Sequence, residues 1–447
     1  RTLEQEAMVG QDYKAISING NGANGHDYED SSLLSNGKGS DGEIVLQSVR
    51  NASLNFLSPA GRNVEDNLLN TDLSVDQLEL SATDRDIDAA ISSIIPTTDN
   101  ASHTIIRAYR PHKMWLWTRW NGTVLQHGSR LVLGHMILTA IICSLIPLIN
   151  DPKNPDEVID GSLIALGSAF KYILALATFI LTFFLNQSYG LWRQIYNLSR
   201  SVQGRTNDFG MLAATHAARD SKTGRYTPEA RKALEDIASA VKIFHVLAYA
   251  SKTRRYRVLH TTRALRKMEE RGILSKTMLD ALIGLDIAPN SRPYAVIEWI
   301  VVRFRSAVDD GIFKGGPGFE EKFLEKGLML RSQYGSFGDV LDARIPLAYG
   351  HFVQVMVDTL LFCAPFALYK EQRYFAIFTV GVLTVFFAGL LDLSKVMLDP
   401  FDMEDYCDGV IDMNVAVFLR ESMKGSTVWM DGAEVLPADW GNSSNDL

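Results

Sequence analysis

Apolar residues are concentrated in four blocks of the chain, separated by polar segments. The blocks are 131–149, 162–185, 345–369 and 375–397. A helix needs about 20 apolar residues to cross the hydrocarbon core of a bilayer. The pattern therefore predicts an all-α membrane protein with four transmembrane helices per subunit. An even number of crossings places both ends of this region on the same side of the membrane.

Charge near the first two blocks indicates their orientation. The stretch 107–130, ahead of the first span, contains five basic residues, whereas the link 151–161 is acidic. Basic residues beside membrane spans are enriched on the cytosolic side. We therefore expect the N-terminal side of the first span to face the cytosol or its organellar equivalent.

A long segment without a further span, 190–344, separates the two pairs of spans. Leu234, Ile237 and Val241 are examples of the helical spacing that its apolar residues follow. The segment predicts a mostly helical soluble domain on the cytosolic side. Its many basic residues either attract anions and anionic lipid or form solvated helix faces.

The two ends of the chain differ from this central region. Residues 1–104 are rich in Asn, Ser, Gly and Asp and show no sustained hydrophobic period. Such a composition cannot bury enough apolar surface to become ordered. We predict a disordered N-terminal tail over 1–104 and interpret 413–447 as a C-terminal tail.

The second span contains a narrow stripe formed by Ala175, Phe179 and Phe183. Residues four apart lie on one face of a helix. The apolar run continues without a helix breaker into polar and aromatic residues up to Trp192, which indicates a helix that crosses the membrane and continues into water. The stripe is typical of packing against lipid or a neighbouring helix, or it forms a pore wall where about five copies meet.

Ionisable residues within the spans indicate surfaces that face protein or water. Lys171 lies in the second span, Asp358 in the third, and Asp392 and Lys395 near the end of the fourth. A charge at the bilayer centre costs roughly 3 kcal/mol or more. We expect these side chains to face the bundle interior. Lys171 either favours anion passage beside the stripe or pairs with Asp358.

Motifs of common enzymes are absent from the sequence. It contains no Walker loop, no Gly-x-Ser-x-Gly, no His-Glu-x-x-His and no Cys-x-x-Cys. Cys143 and Cys363 lie inside spans and Cys407 stands alone, so no disulfide framework is indicated. We predict that the protein is not an enzyme, and we expect no nucleic-acid partner.

An acidic segment follows the fourth span directly. It places five carboxylates within ten positions, those of Asp399, Asp402, Glu404, Asp405 and Asp408. Ca²⁺ takes six to eight oxygen ligands, many of them carboxylates on turning loops. The spacing is not that of an EF-hand. The segment predicts either a Ca²⁺ site or a solvated acidic loop.

Four separated motifs resemble those of the bestrophin family of anion channels, algal and plant members included. Phe184 to Trp192 resembles the family pattern at the end of the second span, and Trp120-Asn-Gly-Thr-Val124 resembles its Trp-Arg-Gly-Ser-Ile. Arg344 to His351 is similar to the Ile-Pro-Leu-Val-Tyr segment that opens the third span. Leu391 to Asp405 resembles Asn-Pro-Phe followed by an acidic run. Their order extends the resemblance over 105–412, which we interpret as the channel domain.

The resemblance implies a homopentamer with a central anion pathway in a lipid bilayer, conducting chloride or bicarbonate. The family's hydrophobic neck corresponds to Ala175, Phe179 and Phe183, and Ala175 is smaller than the residue of animal members. A multi-pass protein of this kind is expected in the plasma membrane or, in a photosynthetic organism, the thylakoid membrane.

The resemblance also implies a Ca²⁺ clasp at the membrane border. Its ligands would be Asp399, Glu404, neighbouring Asp405 or Asp408, and backbone oxygen near Ile106. The match is incomplete, because Cys407 replaces the last aspartate of the family's run.

Two other function classes remain at this stage. A secondary transporter would use Lys171, Asp358 and Asp392 as an ion relay, although four spans are few and no inverted repeat is present. A membrane scaffold would use the soluble helices to recruit partners.

Overall fold

The computed structural model describes residues 75–97, 103–106, 124–149, 157–403 and 413–435. Within these ranges the β pairing consists of two isolated bridges, Ala217 with Phe313 and Arg219 with Tyr226. The helices are α1 (Val75–Ser81), α2 (Asp84–Ile94), α3 (Val124–Ile149), α4 (Glu157–His216), α5 (Pro228–Ala250), α6 (Thr262–Glu270), α7 (Lys276–Gly284), α8 (Arg292–Asp309), α9 (Pro317–Asp342), α10 (Leu347–Gln372), α11 (Ala376–Leu398) and α12 (Val415–Glu434). Short 3-10 turns lie at Arg254–His260, Pro289–Ser291 and Arg373–Phe375.

Within the described part of the chain, three helical stretches are long and apolar enough to cross a membrane. They are Gly128–Ile149, Ile159–His216 and Leu347–Leu398. The third stretch contains α10 and α11, and the turn Arg373–Phe375 separates them. Arg373 has φ 51°, a left-handed backbone conformation that ends α10. The four predicted spans therefore lie within α3, the first half of α4, α10 and α11, except that the last two begin one or two residues ahead of their helices.

The spanning helices pack through a regular apolar stripe on α4. Phe170, Ala177 and Phe184 recur every seven residues and are buried in one cluster with residues of α10 such as Val357 and Leu360. Seven residues are close to two helical turns, so the stripe keeps facing its neighbour along the bundle. A small residue allows α11 to approach α3 closely, because a Cβ at Gly381 would lie 2.9 Å from Met136 Sδ.

Helix α4 connects the membrane bundle with the soluble domain. It is a single helix of 60 residues, which corresponds to a length of about 90 Å. The hydrocarbon core of a bilayer is about 30 Å thick. The prediction that this helix crosses the membrane and continues beyond it is consistent with this length.

The soluble domain is organised around α5, which is buried over most of its length. Thr227 caps its N-terminus by accepting a hydrogen bond from the Ala230 amide at 3.2 Å, and Pro228 occupies the first turn. The second half of α4, together with α8, α9 and α12, surrounds it. Stacking of Phe304 on Phe323, with ring centroids 3.7 Å apart, joins α8 to α9.

The prediction of a disordered tail is wrong for residues 75–97. Helices α1 and α2 dock on the soluble domain, and Ile87, Ile91 and Ile94 are fully buried. Thr83 and Asp86 form a capping box at the start of α2. The sequence did not predict these helices, because their short amphipathic pattern lies within a segment that is polar overall. We call residues 75–97 the strap; residues 1–74 and 98–102 lie outside the described ranges.

The interpretation of 413–447 as a tail is also wrong for its first part. Helix α12 packs in the core of the soluble domain, where Phe418 and Leu419 are buried. A Cβ at Gly210 of α4 would lie 2.0 Å from the Trp429 ring, so a glycine is needed where α12 crosses α4. Residues 436–447 are not among those described.

Candidate functional site

The predicted stripe on α4 lies opposite the face that packs in the bundle. Nine residues separate Phe170 from Phe179, which amounts to about 180° around a helix. Phe179 is 72% exposed and Phe183 is 52% exposed, and Ala175 is exposed as well. These side chains therefore do not pack inside their own subunit. They face lipid, water or another copy of the chain.

The same face of α4 becomes polar as the helix leaves the apolar region. Asn186, Arg193 and Asn197 are all exposed there. Eighteen residues make five helical turns, so Arg193 lies in line with Ala175, and Asn197 with Phe179. Asn186 belongs to the Phe184 to Trp192 motif, whereas Arg193 and Asn197 lie beyond it and were not predicted. Extending the stripe by whole turns beyond Phe183 would have found them.

Lys171 does not face the bundle interior, and it does not pair with Asp358. Its ammonium group lies 3.3 Å from Glu371 Oε1, and the two side chains are 70% and 61% exposed. The prediction that intramembrane charges are interior is therefore wrong for Lys171. The buried cluster of the bundle is apolar and includes Phe170 and Leu361.

Asp358 also lies on the outside of its own bundle. Both of its carboxylate oxygens accept hydrogen bonds at 2.8 Å from the Gln354 amide, whose oxygen accepts from Lys395 of α11. Asp358 is exposed, whereas Lys395 and Asp392 are half-buried. The prediction of an interior position is wrong for Asp358. A polar group exposed at membrane depth requires cover by protein or water.

The predicted Ca²⁺ clasp is only partly within the described residues. Asp399 is buried; its Oδ1 accepts a hydrogen bond from the Met403 amide at 2.9 Å and lies 3.7 Å from Arg344 Nη1. Glu404, Asp405 and Asp408 lie outside the described ranges. Among the described residues, no three His, Cys, Asp or Glu side chains are arranged to hold a metal ion. Ca²⁺ binding therefore stays a prediction.

Three chain segments meet at the border between the bundle and the soluble domain. The Ile105 carbonyl accepts from the Asn414 amide at 2.9 Å, and the Pro400 carbonyl accepts from the Met413 amide at 2.8 Å. Ile106 is 38% exposed. The backbone near Ile106 and the turn after Asp399 are therefore joined through residues 413–414, an arrangement that suits the predicted clasp.

Three basic residues of the soluble domain form ion pairs with the strap. Asp84 pairs with Arg263, and Asp88 lies 2.9 Å from Lys267 Nζ and 2.6 Å from Arg271 Nη2. The Arg263 guanidinium lowers the pKa of Asp84 below its usual value, chiefly by hydrogen bonding. These cations therefore contribute less positive potential than their number in the sequence indicates.

Two histidines of the soluble domain are packing residues. Burial lowers the pKa of His245 to about 4 and that of His260 to about 3. His245 Nδ1 lies 2.8 Å from Ser422 Oγ and 3.1 Å from the Val241 carbonyl. Both rings are neutral at physiological pH.

The chain is similar in structure to solved membrane proteins. A crystal structure of a membrane protein matches with a TM-score of 0.53 at 15% identity, covering 67% of this chain and 97% of that chain. A bacterial Bestrophin homolog from Klebsiella pneumoniae matches with a TM-score of 0.51 at 14% identity, covering 67% of this chain and 98% of that chain. The fold is bestrophin-like. Another structure of that homolog has the same TM-score and identity, and the match covers 70% of this chain and 100% of that chain.

The bestrophin-like fold confirms the predicted fold class, an all-α protein with helices able to span a membrane. The sequence matches no protein-family model and no curated protein. At this level of identity, the similarity shows the fold alone. Within the fold, the exposed stripe of α4 and its polar continuation form the candidate site.

Proposed function

We propose that the protein is an anion-selective channel assembled as a homopentamer, with Phe179 and Phe183 of each copy forming a hydrophobic neck. One observation supports this most directly. Two phenylalanines and Ala175 project from the face of α4 that its own bundle does not cover. In a bestrophin-like fold, neighbouring copies would place this face around a common axis.

The surface charges of the bundle support assembly. Asp358 and the Lys171–Glu371 pair are exposed on helices that are apolar enough to span a membrane. Their exposure to lipid would be costly. A neighbouring copy or a water-filled path covers them without that cost.

Conduction through such a neck requires no strong binding site. A permeant ion must bind weakly enough to leave. Phenyl rings present edges of partial positive charge, which suits partly dehydrated anions such as chloride and bicarbonate. The neck would favour large, weakly hydrated anions, and it would stop the flow when it closes or dewets.

Planar-bilayer recording of the purified protein tests the proposal. Under a salt gradient we expect unitary currents that reverse near the chloride equilibrium potential. The double variant Phe179→Ala/Phe183→Ala should widen the neck and raise the conductance about twofold or more, or abolish its gating. The double variant Phe378→Ala/Phe386→Ala is a matched control, because these phenylalanines of α11 are each 60% exposed.

Two results would contradict the channel proposal. One is the absence of anion current from protein that is intact by size and helicity. The other is a pair of Phe→Ala variants that assemble normally and leave conductance, gating and ion selectivity unchanged. Coupled flux without unitary currents would indicate a transporter, and no flux would favour a scaffold.

We also propose that Asp399, Glu404 and either Asp405 or Asp408 hold a regulatory Ca²⁺ together with backbone near Ile106. A ligand that binds the folded state stabilises it by mass action. Free Ca²⁺ should therefore raise the unfolding temperature and the current, and Glu404→Gln/Asp405→Asn should remove both responses. Calorimetry that detects no binding up to about millimolar Ca²⁺ would overturn this part.

A further inference from the structure

Helix α4 contains four basic residues between its start and its last turn, and three of them have carboxylate partners. Lys171 lies 3.3 Å from Glu371, Arg200 lies 2.6 Å from Glu421, and Arg205 lies 3.1 Å from Asp208. Arg193 is the fourth, and it is exposed. Among the residues that the structure describes, no carboxylate forms an ion pair with it. Its positive charge is therefore not compensated locally.

The position of Arg193 follows from the pitch of the helix. It is five full turns beyond Ala175, so both side chains leave α4 in the same direction. Asn197 has the same relation to Phe179, and its amide adds hydrogen-bond donors to this face. The guanidinium therefore lies on the continuation of the proposed pathway, on the side of the soluble domain.

The distance from Arg193 to the neck determines at which salt concentrations its electrostatic potential extends to the neck. Ten residues separate it from Phe183, about 15 Å along the helix axis. The screening length is about 10 Å at 0.1 M salt, 30 Å at 0.01 M and 3 Å at 1 M. The charge thus reaches the neck in dilute salt and is screened from it in concentrated salt.

Three other cations of the soluble domain are compensated by the strap. Lys267 and Arg271 are paired with Asp88, and Arg263 is paired with Asp84. Among the basic residues of α4 ahead of its last turn, Arg193 is distinguished by its uncompensated charge.

We propose that Arg193 is a selectivity-determining residue: it forms a ring of positive charge at the soluble-side entrance, which concentrates anions and repels cations ahead of the neck. This proposal depends on the proposed homopentameric assembly and channel function. An anion that moves from the soluble side towards Phe183 passes the Asn197 amides and then the guanidinium groups before it reaches the neck. Low-dielectric walls would strengthen this potential within the entrance.

The test compares reconstituted full-length variants in planar bilayers at about 10 mM and about 1 M salt, concentrations chosen for their screening lengths. Arg193→Gln should reduce anion conductance and the anion-to-cation permeability ratio by about threefold or more in dilute salt, with little difference in concentrated salt. Arg193→Lys, which keeps the charge, should restore most of both. Arg331→Gln is the matched control, since Arg331 is exposed on α9 and lies outside the α4 face.

Size and thermal stability of each variant show whether it is intact, and an exposed side chain is expected to be tolerated. The proposal is overturned if wild-type protein conducts anions while intact Arg193→Gln has unchanged conductance and selectivity in dilute salt. It is also overturned if Arg331→Gln shows the same loss, because the effect would then be one of net charge. Absence of anion current from the wild type would instead contradict the proposed function itself.

Discussion

The two halves of α4 differ in where their phenylalanines lie. In the membrane half, Phe170 and Phe184 are buried, whereas the opposite face exposes Phe179 by 72% and Phe183 by 52%. In the soluble half, the one phenylalanine, Phe209, is fully buried. The exposure of a phenylalanine must therefore be interpreted together with its surroundings. Exposure of the ring to water costs free energy, whereas exposure to lipid or within a dewetted neck does not.

Charged groups follow the same division. In the soluble domain, ion pairs such as Arg231 with Glu434 and Arg263 with Asp84 join distant parts of the chain around a buried core. On the bundle, Lys171 and Asp358 lie on the outer surface. A soluble domain can rely on water to cover its charges, but a membrane bundle needs a neighbouring protein surface or a water path.

The largest effect on stability is expected from the core beneath the strap. Ile91 is fully buried in the soluble domain, and truncation of a buried isoleucine to alanine costs about 2–5 kcal/mol. Ile91→Ala should lower the free energy of unfolding by about that amount in chemical denaturation. Leu80→Ala is the control, because Leu80 is 88% exposed and its loss should cost about 0.5 kcal/mol or less. Equal effects of the two variants would contradict the docked position of the strap.

A slightly smaller effect is expected from His245 in acid. Burial lowers its pKa from 6.5 to about 4 in the folded protein, so below pH 6.5 the unfolded chain binds more protons than the folded one. Stability should therefore fall as the pH drops from 6.5 towards 4, by up to about 3 kcal/mol from this group. Unfolding followed as a function of pH should show a shallower decline for His245→Gln. If the stability of His245→Gln depends on pH as steeply as that of the wild type, the effect does not come from His245, whatever the overall stability of the variant.

The smallest effect is expected from the exposed pair on the bundle. The Lys171 and Glu371 side chains are 70% and 61% exposed in the single subunit, and exposed pairs contribute about 0–1 kcal/mol. A double-mutant cycle with Lys171→Gln and Glu371→Gln should give a coupling energy within that range for dissociated subunits. A larger coupling energy that appears only in the assembled protein would show that a neighbouring copy covers the pair.

Features set by local pattern were predictable from the sequence. The spans, the continuation of α4 beyond the membrane and the stripe at Phe179 and Phe183 all follow from hydrophobic period. Features set by tertiary context were not. The buried apolar residues of the strap lie within a mostly polar segment, and the partner of Lys171 lies 200 residues away. Arg193 became distinctive only when the other cations of α4 were found to be paired.

Cysteine accessibility along α4 tests the central claim most directly. The native cysteines would first be replaced, and Phe179→Cys and Phe183→Cys would then be exposed to a small charged thiol reagent during bilayer recording. We predict rapid modification at both positions, with a large change in anion current, and no change for Phe378→Cys on α11, whose phenylalanine is similarly exposed. Current that stays unchanged at positions 179 and 183, although labelling is confirmed by mass spectrometry, would contradict a pathway lined by this face of α4.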